Sequence, residues 1–297
     1  MMANPRIHWI KTRIMIYGNI PYQMQRIIRW LPLRNFVYNM LLLTKPKSEK
    51  LNLSDKEQGL LKDLQTDGIA PLGQYLSSEK VQFLRQELDK LKCTDRFRPH
   101  LGDFAIDNHP AETHVADFKT EDLLRIPLIM DLANDPEILK VAEAFMGCKP
   151  TISNIQSWWS LCGHDQPEQA EFFHRDVDDW RFFKFFIYLT DVDDNAGPHV
   201  FVKGSQGVHT GIPIRRYSDQ EVIDLFGKEN VMHIHATAGT AFLENTFGFH
   251  KGQLPKSKRR LLLQFQYSYG GIGIIDYKKV KISDYPYDKY VGRLYVA

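Results

Sequence analysis

The chain has 297 residues, of which 43% are hydrophobic, 12% aromatic and 25% charged. This is the composition of a globular protein with ample material for a core, and it excludes collagen, coiled coil and overall disorder. A net charge of +2 is too small for a dedicated nucleic-acid binder. Three scattered cysteines exclude a disulfide framework, so the sequence predicts a protein of the reducing cytoplasm.

The first 50 residues differ from the rest of the chain. They carry nine basic side chains against one acidic side chain, Glu49, and therefore a charge of +8. No apolar run reaches the ~18 residues of a membrane-spanning helix, and none ends in the small-residue cleavage site of a signal peptide. Two interpretations follow for residues 1–50. They form a basic extension packed on the chain's own domain, or an amphipathic segment in peripheral contact with an anionic membrane, at its inner face.

Helix signals dominate the chain from residue 51 to residue 148. Ser54 is followed three residues later by Glu57, which is the pattern of a capping box at the start of a helix. Further helices are predicted to begin at Ser77 or Ser78 and to cover 120–133 and 137–146, the last of them ended by Gly147. Between the first two helices, Ile69–Leu72 is predicted to be a short strand.

Short runs of aromatic and β-branched residues alternate with turn residues after residue 149. The predicted strands are Thr151–Leu161, Phe182–Leu189, His199–Val202, Val231–Ala236, Thr240–Leu243 and Arg260–Tyr267. Many short strands with Gly and Pro between them indicate a β-sandwich or barrel. We therefore expect a mostly β fold with an N-terminal helical layer packed on one sheet, in a single domain over residues 51–297.

The segment Phe172–Asp176 contains a histidine and a carboxylate two residues apart. Side chains two apart on a strand share a face, so His174 and Asp176 are predicted to project together. They supply two of the three ligands of the 2-His-1-carboxylate triad, which holds non-haem Fe(II) and leaves coordination positions open. The third ligand must be a distant histidine, and His250 stands at the end of an apolar run that suits this role.

Residues 57–268 resemble the phytanoyl-CoA dioxygenase family of Fe(II)/2-oxoglutarate-dependent oxygenases. The motifs that carry the resemblance are Asp67–Leu72, His174 with Asp176, Lys203–Ser205, and His250 with Arg260. One position departs, because Ser205 is followed by Gln206 where members commonly have histidine. The resemblance implies a double-stranded β-helix (jelly-roll) core over 149–270, followed by a C-terminal tail over 271–297. It also implies Fe(II) bound by His174, Asp176 and His250, with 2-oxoglutarate and O2 as co-substrates.

Two neighbouring arginines compete to bind the second carboxylate of 2-oxoglutarate. On a strand, Arg260 shares a face with Gln264 and Gln266, whereas Arg259 shares its face with aromatic side chains. Polar groups suit the site and apolar groups suit the helical layer, so we predict that Arg260 binds the keto acid through its planar fork. The resemblance also places Gln156 near the co-substrate.

The resemblance implies an enzyme that hydroxylates an unactivated C–H bond of a small-molecule, lipid-linked or sugar substrate and releases succinate and CO2. Desaturation or ring closure is an alternative outcome, because the fold is shared by enzymes of several chemistries. Two other classes of protein stay open. One is a jelly-roll binding protein without turnover. The other is a cupin-type metalloenzyme that uses His233 and His235, with Glu244 nine residues later.

Overall fold

The computed structural model describes residues 20–46, 51–208, 212–282 and 285–297. The predictions for residues 1–19 and 47–50 lie outside the described residues. The α-helices are α1 (Ile20–Ile27), α2 (Leu31–Leu42), α3 (Asp55–Thr66), α4 (Ser78–Leu88), α5 (Thr120–Leu123), α6 (Pro127–Ala133), α7 (Pro136–Met146) and α8 (Asp219–Phe226). The strands are β1 (Ile69–Gln74), β2 (Cys93–Thr94), β3 (Val115–Phe118), β4 (Thr151–Ser160), β5 (Phe182–Tyr188), β6 (His199–Val202), β7 (Val231–Ile234), β8 (Thr240–Glu244), β9 (His250–Gly252) and β10 (Arg260–Ser268).

Two antiparallel sheets form the β core. The larger has seven strands in the order β1-β8-β5-β10-β4-β3-β2, and the smaller has three in the order β7-β6-β9. Strand β10 lies between β4 and β5, with Gln264 opposite Gln156 on one side and Phe186 on the other. The fold is mostly β with a jelly-roll core, as predicted.

Strand β5 shows why this sequence forms a sheet with two packed faces. Its residues alternate between the helical layer on one side and the space between the two sheets on the other. The helix-facing set consists of Phe183, Phe185 and Ile187, and the inward set consists of Lys184, Phe186 and Tyr188. Because both faces of the strand are covered, the run is almost wholly apolar, and Lys184 is its single charged residue.

Local sequence signals set most helix ends. The capping box of Ser54 and Glu57 is present, Ser77 caps α4, and Gly147 ends α7 in the left-handed conformation at φ 74°. The prediction of one helix over 120–133 is wrong, because the segment is divided into α5 and α6 before Pro127. Proline has no N–H to donate, and it disfavours helical geometry in the residue before it.

Helices α1 and α2 attach to the body of the protein through one face. Arg34 is buried in α2, and its Nη2 atom donates to the Asp179 carbonyl at 2.6 Å. Tyr38 is also buried, and its hydroxyl donates to the Met146 carbonyl at 2.6 Å. Among the helices of the described ranges, none is both long and apolar enough to cross a membrane.

Candidate metal and co-substrate site

Backbone pairing brings the three predicted ligands together. The His174 N–H donates to the His250 carbonyl at 2.9 Å, and the His250 N–H donates back to the His174 carbonyl at 3.0 Å. Two residues further on, the Asp176 N–H donates to the Thr246 carbonyl at 2.9 Å. The sequence predicted His174 and Asp176 within a strand. They lie instead in an extended segment held by isolated bridges, whereas His250 begins β9.

The side chains of the three residues point at one another. One ligating atom from each of His174, Asp176 and His250 lies within 4.8 Å of the other two. Both imidazoles donate from Nδ1 to a backbone carbonyl, His174 to Phe172 at 3.0 Å and His250 to Gly248 at 3.1 Å. These bonds fix the ring orientation, so the Nε2 atoms face the carboxylate at 3.8 Å and 3.4 Å.

A buried lysine pairs with the carboxylate of this cluster. Lys184 Nζ lies 2.6 Å from Asp176 Oδ2 and 3.8 Å from Asp178 Oδ2. Burial alone would raise the pKa of Asp176, but the positive charges of Lys184 and His250 hold it well below its usual range. Asp178 lies farther from the lysine, and burial followed by the charge of Asp176 raises its pKa to about 7 despite the opposing charge of Lys184. Asp176 is therefore the ionised member of the pair at neutral pH.

The two histidines differ in their affinity for protons. Burial, and then the neighbouring His250, lower the pKa of His174 well below its usual value, so this ring is neutral. Burial also opposes a charge on His250, but the Asp176 carboxylate outweighs it and raises the pKa of His250 overall. A metal ion binding to this cluster would therefore compete with a proton at His250.

A cavity of about 280 Å³ opens between the two sheets at the cluster. The three predicted ligands line it, together with Gln156, Trp158, Lys184, Phe186, Arg260 and Gln264. Gln156 and Gln264 are register partners on β4 and β10, so their side chains enter the cavity side by side. The Nε2 atom of Gln264 is buried and has no hydrogen-bond partner among the described residues.

Arg260 lies at the edge of this cavity with unused donors. The residue is 2% exposed, and its Nη2 atom donates to Ser160 Oγ at 3.1 Å. Its Nε and Nη1 atoms are buried without a partner among the described residues. Gly252 makes room for the guanidinium, since a Cβ atom at that position would lie 2.8 Å from Nη2. Buried unpaired donors are costly, so these two nitrogens indicate a ligand position.

Arg259 points the other way, which is the arrangement that strand parity predicts. Its Nη1 atom donates to Asp107 Oδ1 at 3.0 Å, and its guanidinium stacks on Trp159 at 4.5 Å from the ring centroid. The Arg259 side chain is 40% exposed and takes no part in lining the cavity.

The rival histidine pair is not assembled into a metal site. His233 and His235 both lie outside the cavity lining, and His235 Nε2 is 2.8 Å from Asp194 Oδ1. Glu244 instead contacts His199, at 3.0 Å. Within the described ranges, His174, Asp176 and His250 are the one group of three or more His, Cys, Asp or Glu residues arranged to hold a metal ion.

Two features of the site were not among the predictions from the sequence. Lys184 could have been found, because it is the lone charge in an apolar strand that soon follows Asp176. The pair of His199 and Glu244 has no local signal, since the two residues are 45 positions apart and meet only through the sheets. Burial raises the pKa of Glu244 to about 8, and the His199 ring lies 5.7 Å from that of His250.

The chain is similar to solved structures of known proteins. No protein-family model matches the chain, and a comparison with curated proteins finds no match. HygX from Streptomyces hygroscopicus, with nickel and 2-oxoglutarate bound, is 16% identical with a TM-score of 0.53. The same protein with hygromycin B also bound is 17% identical with a TM-score of 0.52. Each match covers 81% of this chain and 97% of HygX.

A second protein has a similar structure. EctD from S. alaskensis with bound Fe is 18% identical with a TM-score of 0.51, and the match covers 85% of this chain and 93% of EctD. At these identities the similarity shows a shared fold, the jelly roll. The resemblance to the phytanoyl-CoA dioxygenase family therefore rests on the sequence motifs.

Proposed function

We propose that this protein is an Fe(II)- and 2-oxoglutarate-dependent dioxygenase that hydroxylates an unactivated C–H bond. One observation carries the proposal: a cavity holds both a cluster of two imidazoles with a carboxylate and a buried guanidinium with two unpaired nitrogens. Either feature alone has a structural explanation. Together they match the two anchors that an iron-chelating dicarboxylic keto acid requires.

The donor set fits Fe(II). His174, Asp176 and His250 would hold the metal through two Nε2 atoms and one carboxylate oxygen, since both Nδ1 atoms are engaged with carbonyls. Imidazole and carboxylate are ligands that suit this ion, and three protein ligands leave positions for other ligands. Lys184 occupies the Oδ2 side of Asp176 at 2.6 Å and so restrains the carboxylate to one orientation.

The keto-acid end of the site fits 2-oxoglutarate. Arg260 offers N–H donors on Nε and Nη1, which have no partner among the described residues, and either can bind a carboxylate together with the second N–H of Nη2. Gln156 and Gln264 add amide groups on the cavity wall beside it. The similar structure of HygX with nickel and 2-oxoglutarate bound supports this assignment.

Bound iron and 2-oxoglutarate would supply O2 activation and C–H oxidation, with release of succinate and CO2. The chain's own residues would orient the reactants and exclude water. Trp158 and Phe186 form apolar walls of the cavity. Asp176 fills the third ligand position with a carboxylate, which favours hydroxylation of the substrate.

The proposed substrate is a small molecule, which includes sugars and lipid-linked compounds. A cavity of about 280 Å³ suits the reacting part of such a molecule. HygX has been crystallised with hygromycin B, and this supports a small-molecule substrate for a chain of the same fold.

Metabolite turnover under ¹⁸O₂ tests the proposal. The iron-loaded protein and 2-oxoglutarate are incubated with a metabolite extract, and products are compared between the wild type, Asp176→Ala and the control His233→Ala. We expect a product heavier by one ¹⁸O atom with the wild type and His233→Ala, and none with Asp176→Ala. If succinate and a labelled product form equally with Asp176→Ala, the assigned site is wrong.

A further inference from the structure

The N-terminal helices expose an unusual number of apolar side chains. We define the N-terminal apolar face as Met24, Ile27, Trp30, Leu33, Phe36, Met40 and Leu43, which are between 41% and 78% exposed. Thirteen large apolar side chains are exposed in the described parts of the chain, and these seven lie within 20 consecutive residues. Single exposed apolar residues are ordinary, but a concentration of this kind marks an interaction surface.

Within each helix the spacing places these side chains on one side. Met24 and Ile27 are three residues apart in α1, and Leu33, Phe36 and Met40 are three and four residues apart in α2, which is the period of one helical face. The opposite side is occupied by the buried residues Tyr22, Gln25, Arg34 and Tyr38. The segment is therefore fixed to the protein by its buried side, and the N-terminal apolar face is directed away from the core.

The charge of this segment indicates what covers the face. Residues 1–46 contain seven basic side chains and no acidic one. Arg26, the one basic residue of α1, is exposed, whereas Arg34 of α2 is buried and bound to backbone carbonyls. An apolar face beside exposed positive charge is complementary to an anionic lipid surface.

We propose that residues 20–46 dock the protein on the surface of an anionic phospholipid bilayer. The N-terminal apolar face enters the boundary between headgroups and acyl chains, and the basic side chains meet the lipid phosphates. Trp30 is 60% exposed at the junction of α1 and α2, and tryptophan favours this depth of a bilayer. The helices lie along the surface.

Docking in this orientation has a consequence for the cavity. Arg29 Nη1 donates to the Ile212 carbonyl at 3.0 Å, so the end of α1 contacts the segment 212–217. That segment carries Ile214, which is 43% exposed, and Arg216, which lines the cavity. The bilayer would then lie near one edge of the cavity, where a lipid-linked substrate could enter. This consequence, unlike the docking itself, rests on the proposed function.

Flotation of the full chain with lipid vesicles tests the docking. We expect binding to vesicles of phosphatidylcholine mixed with phosphatidylglycerol to be at least about tenfold stronger than to pure phosphatidylcholine, and to weaken as salt is added. The triple variant Leu33→Ser, Phe36→Ser, Met40→Ser should lose at least about tenfold in affinity. The matched control Phe83→Ser, Leu225→Ser removes exposed apolar residues elsewhere and should bind like the wild type.

Surface substitutions are used because deletion of the segment would also remove the buried Arg34 and Tyr38. Three results would overturn the proposal: no binding of the wild type to anionic vesicles, equal binding of the triple variant, or equal binding to neutral vesicles. If the triple variant converts a dimer to a monomer, a second copy covers the face and the proposal is also wrong.

Affinity for 2-oxoglutarate, measured in solution on the same variants, should not change. If the wild type does not bind 2-oxoglutarate, the proposed function is wrong, and the docking proposal is unaffected.

Discussion

Replacement of Arg260 by alanine should weaken 2-oxoglutarate binding and leave iron binding intact. The guanidinium is 2% exposed and has one protein hydrogen bond, to Ser160, with two nitrogens left over. The N–H groups of those two nitrogens are available to the keto acid. Arg260 is not one of the three residues that would bind the metal, so the affinity for iron should not change.

The size of the effect follows from the strength of the charge-assisted interaction that is lost. Hydrogen bonds to a charged group are worth about 1.5–3 kcal/mol in net terms. Loss of that interaction corresponds to an increase of about ten- to a hundredfold in the dissociation constant of 2-oxoglutarate. Arg260→Lys should restore only part of the affinity, because an ammonium cannot present two parallel donors.

Anaerobic calorimetric titration of 2-oxoglutarate into the Fe(II)-loaded protein measures the change directly and needs no substrate. Arg259→Ala is the matched control, because it removes the same charge from the adjacent residue, where the side chain binds Asp107 outside the cavity. A larger loss of affinity in Arg259→Ala than in Arg260→Ala would refute the assignment. An unchanged affinity in Arg260→Ala would refute it as well.

Three further predictions concern the cluster of His174, Asp176 and His250. His174→Ala or His250→Ala should abolish Fe(II) binding in equilibrium dialysis, whereas His233→Ala should not. Loss of iron from His233→Ala alone would favour the cupin interpretation. Because the pKa of His250 is raised in the metal-free protein, its proton competes with iron. Fe(II) affinity should therefore fall by up to about tenfold per pH unit below that pKa, and an affinity independent of pH down to acid conditions would contradict this. Lys184→Met removes the lysine partner of the Asp176 carboxylate and leaves His250 as its positively charged neighbour, so the free energy of unfolding of the metal-free protein in urea should fall by about 1.5–3 kcal/mol, and by less once iron is bound. Equal stabilities of the metal-free proteins would show that the ion pair is not needed.

Strands and helix ends were the parts of the fold most accessible from the sequence. The predicted strand His199–Val202 matches β6 residue for residue, and β4, β5 and β10 agree to within one residue at each end. These segments combine apolar runs with turn residues on both sides. The hydrophobic pattern and the flanking residues therefore indicate the same strand boundaries. The helix α8 was missed, although Ser218 and Glu221 form a capping box at its start. The helix has only eight residues, and apolar spacing indicates a helix over a window of about 11–18 residues.

The sequence indicated which residues meet at the candidate site but not the contacts that support them. The two-residue spacing of His174 and Asp176 is a local signal, and the parity of β10 distinguishes Arg260 from Arg259. The pairing of Lys184 with Asp176 depends on the path of the chain between Asp176 and β5. No local sequence pattern predicts that path. The same holds for the two-sided packing of α1 and α2, because a basic apolar sequence is compatible with either a packed extension or a membrane surface.

Visible absorption of the anaerobic protein tests the central claim most directly. Fe(II) and 2-oxoglutarate produce a weak charge-transfer band only when the keto acid chelates the metal in one site. The account predicts this band in the wild type, its loss in His174→Ala, and its appearance only at higher 2-oxoglutarate concentration in Arg260→Ala. If iron and 2-oxoglutarate both bind the wild type and no band forms, the cavity does not bring them together and the proposed function is wrong.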